Sequence, residues 1–229
     1  MKNKVAIITG ASSGLGLELA MKLVTQNHLV VGISRRKPTD PRWIQYHKEK
    51  KMVYVSGDVS LESTVKDAFA AADQLGNVDT VINCAGVGVF GPVVSFSRQD
   101  IDNVMRGNLI GMILFSEAAM LKFKSSGGTI VNIMSTAAQV ARTNEAIYCA
   151  AKWGAKGYTE TLRLEAKGTG VRVIAVYPGG MNTRFWVEAK GSKVDASKFM
   201  PPAEVASMIM DALTNRTSGY PSDIVINRI

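Results

Sequence analysis

The chain has 229 residues, 46% of them hydrophobic and 20% charged, a composition that suits one α/β domain with a substantial core. Its formal charge of +8 comes from basic residues dispersed between Lys2 and Arg228, apart from Arg35-Arg36-Lys37 and Lys48 to Lys51, and no nucleic-acid motif accompanies them, so no nucleic-acid partner is expected. Two isolated cysteines, Cys84 and Cys149, and two histidines, His28 and His47, argue against a disulfide framework and against a metal site.

The first apolar run, Val5-Ala6-Ile7-Ile8, is broken at once by Thr9-Gly10, too short for a signal-peptide core. Elsewhere Leu109 to Phe115 falls far short of the ~20 residues of a membrane helix, so a cytoplasmic location and no membrane partner are expected. Val5 to Thr9 reads as a buried strand, and Leu15, Leu19, Leu23 and Val24 mark a helix ending near Gln26. Between them lies Thr9-Gly10-Ala11-Ser12-Ser13-Gly14-Leu15-Gly16. A strand that turns into a helix through glycines lets a pyrophosphate approach free N–H groups at the positive end of the helix dipole. Side chains at Gly10, Gly14 or Gly16 would obstruct that approach, so the turn points to a dinucleotide.

The next strand, Leu29 to Ile33, ends in Ser34-Arg35-Arg36-Lys37. An NAD site needs a carboxylate about here to hold the ribose 2′-hydroxyl, and no acid appears before Asp40. Arginines offer charge-assisted, fork-shaped bonds to a 2′-phosphate, which predicts NADP(H) over NAD(H), although an ordinary basic surface turn has the same composition. After a poorly patterned basic stretch, Met52 to Ser56 reads as a third strand leading to Gly57-Asp58-Val59. Asp58 also suits the start of the amphipathic helix that follows from Ser60 to Leu75. Asp79 to Ile82 is the fourth strand and closes on Asn83-Cys84-Ala85-Gly86. This alternation predicts a parallel sheet with ligands at the carboxyl ends of its strands.

Ser97-Arg98-Gln99-Asp100 resembles a capping box opening a long helix. Asn108 falls inside it, and on its own reads as a polar interhelical contact. Thr129 to Met134 is an apolar β-type run with Ser135 at its end, facing a cleft. A helix then runs from Asn144 to about Lys167, and Tyr148 and Lys152, four apart, share one of its faces. A free phenol titrates near pH ~10 and is a poor proton shuttle, but a neighbouring ammonium favours phenolate at about 1.4 kcal/mol per pKa unit. Such a pair suits general acid–base work. Tyr46 and Lys50 have the same spacing, yet thirteen residues before Tyr46 stands Ile33, whereas thirteen before Tyr148 stands Ser135.

Ser135, Tyr148 and Lys152 at this spacing resemble the short-chain dehydrogenase/reductase family. The likeness extends in motif order from Thr9 to Thr183. The TGxxxGxG turn matches, Asn83-Cys84-Ala85-Gly86 is similar to the family's NNAG with Cys84 for its second asparagine, and Pro178 to Thr183 fits PGxxxT after a strand at Val171 to Tyr177. The tyrosine–lysine interval of four is shorter than that of the enoyl-reductase branch.

The resemblance implies a single-domain α/β fold over residues 1–229, a Rossmann-type doubly wound parallel sheet with helices on both faces. It implies an NADP(H)-dependent oxidoreductase acting on a small carbonyl or alcohol, with Asn108, Ser135, Tyr148 and Lys152 as catalytic residues. Asn108 would hold a water and the lysine in a proton relay. Cofactor contacts are carried over to Gly10, Ser12, Ser13, Gly14, Leu15 and Gly16 in the first turn, and to Ser34, Arg35 and Arg36 after the second strand. Asp58 would meet the adenine beside Val59, and Asn83, Ala85 and Gly86 would lie against the cofactor with Tyr148 and Lys152. Pro178 and Gly179 would line the nicotinamide, and Thr183 would reach its carboxamide. Relatives pair through the helices bearing Asn108 and Tyr148, which implies a homodimer or homotetramer.

Residues 184–200 are irregular and read as a mobile substrate loop. Pro201-Pro202-Ala203-Glu204 opens a helix through Leu213, and Asp223 to Ile226 is the last strand. Phe185, Trp186, Val89 and Phe90 suit an apolar or aromatic carbonyl substrate, and suit packing equally. Gln139 stands where many relatives have glycine. A cofactor-sensing protein on the same fold is the alternative function, against which the intact Asn108, Ser135, Tyr148 and Lys152 weigh.

Overall fold

The apolar runs become strands β1 (Lys4–Thr9), β2 (His28–Ser34), β3 (Met52–Ser56), β4 (Asn77–Asn83), β5 (Gly128–Ile133), β6 (Val171–Pro178) and β7 (Asp223–Ile226). In a computed structural model describing residues 3–213 and 218–229, they form one sheet of order β3-β2-β1-β4-β5-β6-β7, parallel throughout. Parallel strands are covered on both faces, which is why their sequences are continuous apolar runs rather than alternations. The helices are α1 (Gly14–Thr25), α2 (Pro41–Lys48), α3 (Glu62–Leu75), α4 (Arg98–Met105), α5 (Gly111–Phe123), α6 (Ala146–Glu165), α7 (Arg184–Glu188) and α8 (Pro202–Leu213).

The two-residue period of each strand divides the core into two layers. On one face Ala6 and Ile8 pack with Leu19 and Leu23 of α1 and with Val205 and Ile209 of α8. On the other, Val5 and Ile7 pack with Val65 and Ala68 of α3, Phe115 and Phe123 of α5, and Leu162 of α6. β1 lies between β2 and β4, so the chain leaves it toward opposite sides of the sheet, the switch point where a parallel α/β sheet opens a crevice. Thr9 is in register with Ile33 on one side and Asn83 on the other, so all three strands end at the same level beneath that crevice.

Three elements differ from the sequence-based expectation. The basic stretch after β2 contains α2, whose first turn is capped by the Asp40 carboxylate accepting from Arg42 N at 2.8 Å. Its one buried residue, Trp43, inserts its ring where a Cβ on Gly32 would come within 2.2 Å. A single anchor leaves too little apolar periodicity to read. Residues 184–188 form α7 within the expected irregular loop. Third, α4 and α5 are joined by a π-turn at Arg106–Ile110.

Together Arg98–Phe123 make a helical run of 26 residues with a mean hydropathy of 1.3 over its most apolar window, long and apolar enough to cross a membrane by composition. This exceeds the Leu109 to Phe115 run apparent in the sequence, because the helical run continues through polar residues on either side of it. Here Phe115, Ala119 and Phe123 are fully buried against the sheet, as in the core helix of a packed domain.

Candidate active site

The carboxyl ends of β1 to β6 open onto one cleft of about 1210 Å³. The N-terminus of α1 points into it through Ser12, Ser13, Gly14, Leu15 and Gly16, and no acidic residue in its first turn offsets the positive end of the dipole. Gly10 and Gly14 have φ of +72° and +57°, which L side chains rarely adopt. A Cβ on Gly16 would stand 2.4 Å from Gly10 O, and one on Gly10 would stand 2.9 Å from Ala85 Cα. These two glycines therefore let protein backbone meet protein backbone, so the obstruction expected from a side chain begins inside the turn itself. Thr9 Oγ1 ties the same turn to the end of β4, accepting from Cys84 N at 3.0 Å and Ala85 N at 3.1 Å.

At the far end of the cleft Ser34 Oγ donates to Arg36 O at 2.8 Å, and Tyr54 OH donates to Ser34 O at 2.9 Å, fixing the chain as it leaves β2. Arg35 makes no ion pair among the described residues, whereas Arg36 Nη2 meets Glu188 Oε2 at 2.5 Å. Asp58 Oδ1 accepts from Ser60 N at 2.9 Å and Ser60 Oγ at 2.8 Å, and α3 begins only at Glu62, so Asp58 closes a local turn rather than capping that helix. Arg106, unforeseen in the sequence, donates to Ser60 Oγ at 2.9 Å and lies 3.8 Å from Asp58. Val59 lines the cleft beside them.

At the near end, β5 delivers Ser135 in extended backbone, its Oγ accepting from Ala137 N at 3.1 Å. One helical turn places Lys152 below Tyr148, its Nζ 5.7 Å from the tyrosine ring centre and donating to Ile133 O at 3.2 Å. Burial pushes the Tyr148 phenol well above its ordinary value, Ser135 opposes the rise as a hydrogen-bond partner, and the Glu145 carboxylate adds to it. Burial likewise pushes the Lys152 amine down to about 8. Desolvation thus leads the shift of both groups in the protein alone.

Asn108 stands behind the cleft wall rather than in it. Its Nδ2 donates to Val87 O at 2.8 Å and Val104 O at 2.9 Å, a carbonyl partner four residues back that the π-turn accommodates. Its Oδ1 is buried without a partner among the described residues, and a Cβ on Gly86 would lie 2.9 Å from that oxygen and 3.9 Å from Lys152 Nζ. Asn108 Oδ1 and Lys152 Nζ therefore both face the space that a side chain at Gly86 would fill. Asn83 departs from the sequence expectation. It is 3% exposed and turns into the interior, where its Nδ2 donates to Ser116 Oγ at 3.0 Å and Asn132 Oδ1 at 2.8 Å. Its neighbours Ala85 and Gly86 do line the cleft.

Pro178, Gly179 and Thr183 also line the cleft, Thr183 beside Gly14 of the glycine turn. Above Tyr148 stand three rings: Phe90 at 5.9 Å edge-on, Phe185 at 5.7 Å, and Trp186 stacked on Phe90 at 5.6 Å. The segment carrying two of them is fastened at several points. Phe90 N donates to Lys190 O at 2.8 Å, Lys190 Nζ donates to Asp100 Oδ2 at 2.7 Å, and Asn182 N donates to Met200 O at 2.9 Å. Lys190, with the Ser97 cap, holds the Asp100 carboxyl down at about 2. Arg142 and Glu145 also face this part of the cleft. None of these pairs has a sequence spacing that would reveal it.

A nicotinamide dinucleotide fits this donor set. The helix N-terminus and Arg35 suit phosphates, while Gly86 and Pro178 present flat backbone beside the hydroxyl and amine of Ser135, Tyr148 and Lys152. The partnerless Asn108 oxygen suits a hydrogen-bond donor between itself and Lys152. Among the described residues no cluster of His, Cys, Asp or Glu could hold a metal ion. Burial lifts the Cys84 thiol to about 12, so it stays protonated at neutral pH.

Comparison with known proteins agrees with this geometry. The short chain dehydrogenase family profile matches residues 4–193. Carbonyl reductase family member 4 of Danio rerio is 30% identical over 91% of this chain and 90% of its own length. Sepiapterin reductase of Chlorobaculum tepidum is 28% identical over 97% and 95%, respectively. The crystal structure of a short-chain dehydrogenase/reductase from Vibrio parahaemolyticus superposes with a TM-score of 0.83 at 37% identity, covering 98% of this chain and 96% of that one. With the sheet order, the glycine turn and the Ser135–Tyr148–Lys152 cluster on one cleft, the chain belongs to the short-chain dehydrogenase/reductase family of oxidoreductases.

Proposed function

We propose that this protein is an NADP(H)-preferring reductase of apolar or aromatic ketones and aldehydes. The observation that carries the reading is the convergence of Ser135, Tyr148 and Lys152 beneath the Phe90, Phe185 and Trp186 rings. When bound, the nicotinamide supplies a hydride to the carbonyl carbon. Tyr148, its phenol lifted by burial, is protonated at neutral pH and placed to donate to the carbonyl oxygen. Ser135 donates a hydrogen bond to the same oxygen as charge develops, an effect of about a hundredfold or more. Lys152 offers a cation beneath the phenol as it loses its proton, and the partnerless Asn108 Oδ1, facing the same space beside Gly86, would accept from a water linking it to Lys152 and so give the proton a path inward.

The aromatic wall favours a flat or apolar substrate. The names of the Danio rerio and Chlorobaculum tepidum relatives also favour carbonyl reduction. Arg35 and Arg36 favour a 2′-phosphate over a bare hydroxyl. Exposed Leu121 on α5 with Trp153 and Leu164 on α6 favours pairing into a homodimer or homotetramer, and light scattering that showed a monomer would remove that part. We place the protein in the cytoplasm and read residues 184–200 as its substrate lid.

The test is NADPH consumption against a panel of aldehydes, ketones and diketones, with Tyr148→Phe in parallel. Turnover that disappears in the variant while NADPH binding persists is the expected result. Tight NADPH binding with no turnover across the panel would overturn the reductase reading in favour of cofactor sensing.

A further inference from the structure

We infer that Glu188, at the end of α7, tunes the choice between NADP(H) and NAD(H) by occupying the guanidinium of Arg36 that a ribose 2′-phosphate would use. The inference rests on the proposed dinucleotide site and on the placement of Arg36 at its adenosine end.

Arg36 follows β2, and Glu188 follows it by 152 residues, yet Arg36 Nη2 and Glu188 Oε2 are 2.5 Å apart. Both line the cleft, so their bond passes from the β2 end of the site to the segment that carries Phe185 and Trp186 over Tyr148. The other Glu188 oxygen takes Arg184 Nε at 3.2 Å. These two arginines hold the Glu188 carboxyl below its usual range, with Arg36 the larger influence and nearby Arg35 contributing further. The carboxylate is therefore charged at neutral pH and lies close to the cationic pair that distinguishes the two cofactors.

A guanidinium presents its N–H groups in one plane, and a carboxylate on one edge reduces what remains for a phosphate. A 2′-phosphate, carrying close to two negative charges, must either displace Glu188 from Arg36 or share the guanidinium with it against like-charge repulsion. Either route penalises NADP(H). NAD(H) brings a neutral hydroxyl to the same place and leaves the bond intact. Cofactor choice and the hold on α7 are thereby coupled, since NADP(H) competes with the fastening that NAD(H) leaves in place.

The test is fluorescence titration of NADPH and NADH binding to wild type, Glu188→Gln, Arg36→Gln, the double variant and Asp195→Asn. The last removes one negative charge from the same segment without touching Arg36. Glu188→Gln is expected to tighten NADPH by about three- to tenfold at low salt and leave NADH unchanged. Asp195→Asn should do neither, and Glu188→Gln should lose its effect once Arg36 is Gln. Equal tightening of both cofactors, no tightening, or tightening that survives Arg36→Gln overturns the role of Glu188. Wild type that binds both cofactors equally, with Glu188→Gln still selectively tightening NADPH, would instead remove the NADP(H) preference and leave the role of Glu188 standing. Thermal melts confirm that each variant is folded.

Discussion

Lys152→Met should make the protein more stable while removing the cation beneath Tyr148. Lys152 is 3% exposed, and among the described residues its amine makes one hydrogen bond, to Ile133 O at 3.2 Å. Burial lowers it from 10.5 to about 8, a difference worth on the order of 3 kcal/mol against the charged form. Methionine keeps most of the volume and needs no partner, whereas the lost bond to Ile133 O costs about 1 kcal/mol. The net expectation at pH 7 is a gain of about 2 kcal/mol, or about 4–8 °C in Tm. The sign of its pH dependence follows from the depressed amine. Between pH 8 and the unfolded value near 10.5, the unfolded chain binds the proton that the folded chain has released, so wild-type stability rises there. The advantage of the variant should therefore shrink by on the order of 2 kcal/mol between pH 7 and 10. Urea unfolding of both proteins at those two pH values measures it. A variant less stable than wild type at pH 7, or an advantage independent of pH, would refute the desolvation argument.

Asn132→Ala breaks the buried bonds to Asn83 Nδ2 at 2.8 Å and Thr159 Oγ1 at 2.9 Å, and a loss of about 3 kcal/mol in urea unfolding is expected, with no loss reading against a structural role for this network. Gly16→Ala forces a Cβ to within 2.4 Å of Gly10 O, so both stability and NADPH affinity should fall, and unchanged affinity would show that the turn absorbs the methyl. Asp100→Asn removes the carboxylate that Lys190 holds, and trypsin should then cut after Lys193 and Lys198 faster at neutral pH. In wild type this clasp persists above the ordinary carboxylate range and weakens only as pH falls toward about 2.

The periodic elements were legible because burial imposes period on sequence. Val5 to Thr9 and Thr129 to Met134 are readable as buried strands, and the glycines between strand and helix mark the crevice in the sequence itself. The two Tyr–Lys pairs of equal spacing fall in different settings. Tyr46 packs against the core and Lys50 lies beyond the end of α2 at φ +58°, whereas Tyr148 and Lys152 share the cleft.

Other features depended on contacts to which sequence spacing is blind. Asn83 precedes residues that line the cleft, but the strand's alternation turns its side chain inward toward Asn132, 49 residues away. Lys190–Asp100 spans 90 residues and Arg36–Glu188 spans 152, and neither partner carries a local signature. The sign of the Tyr148 shift required knowing how deeply the phenol is buried, a tertiary quantity.

The π-turn at Arg106–Ile110 carries a consequence for insertions and deletions in this chain. A π-turn holds one residue more than the α-helical repeat, and each helical residue rotates the following side chains by about 100°. Removing one residue between 106 and 110 would let α4 and α5 fuse into a regular helix, with every ladder bond restored. It would also shift α4 by one residue against α5 and break the register that brings Asn108 Nδ2 to both Val104 O and Val87 O. The shortened helix would be the more regular helix and would lose the placement of Asn108. Selection on helix stability and selection on the placement of Asn108 therefore pull this segment's length in opposite directions.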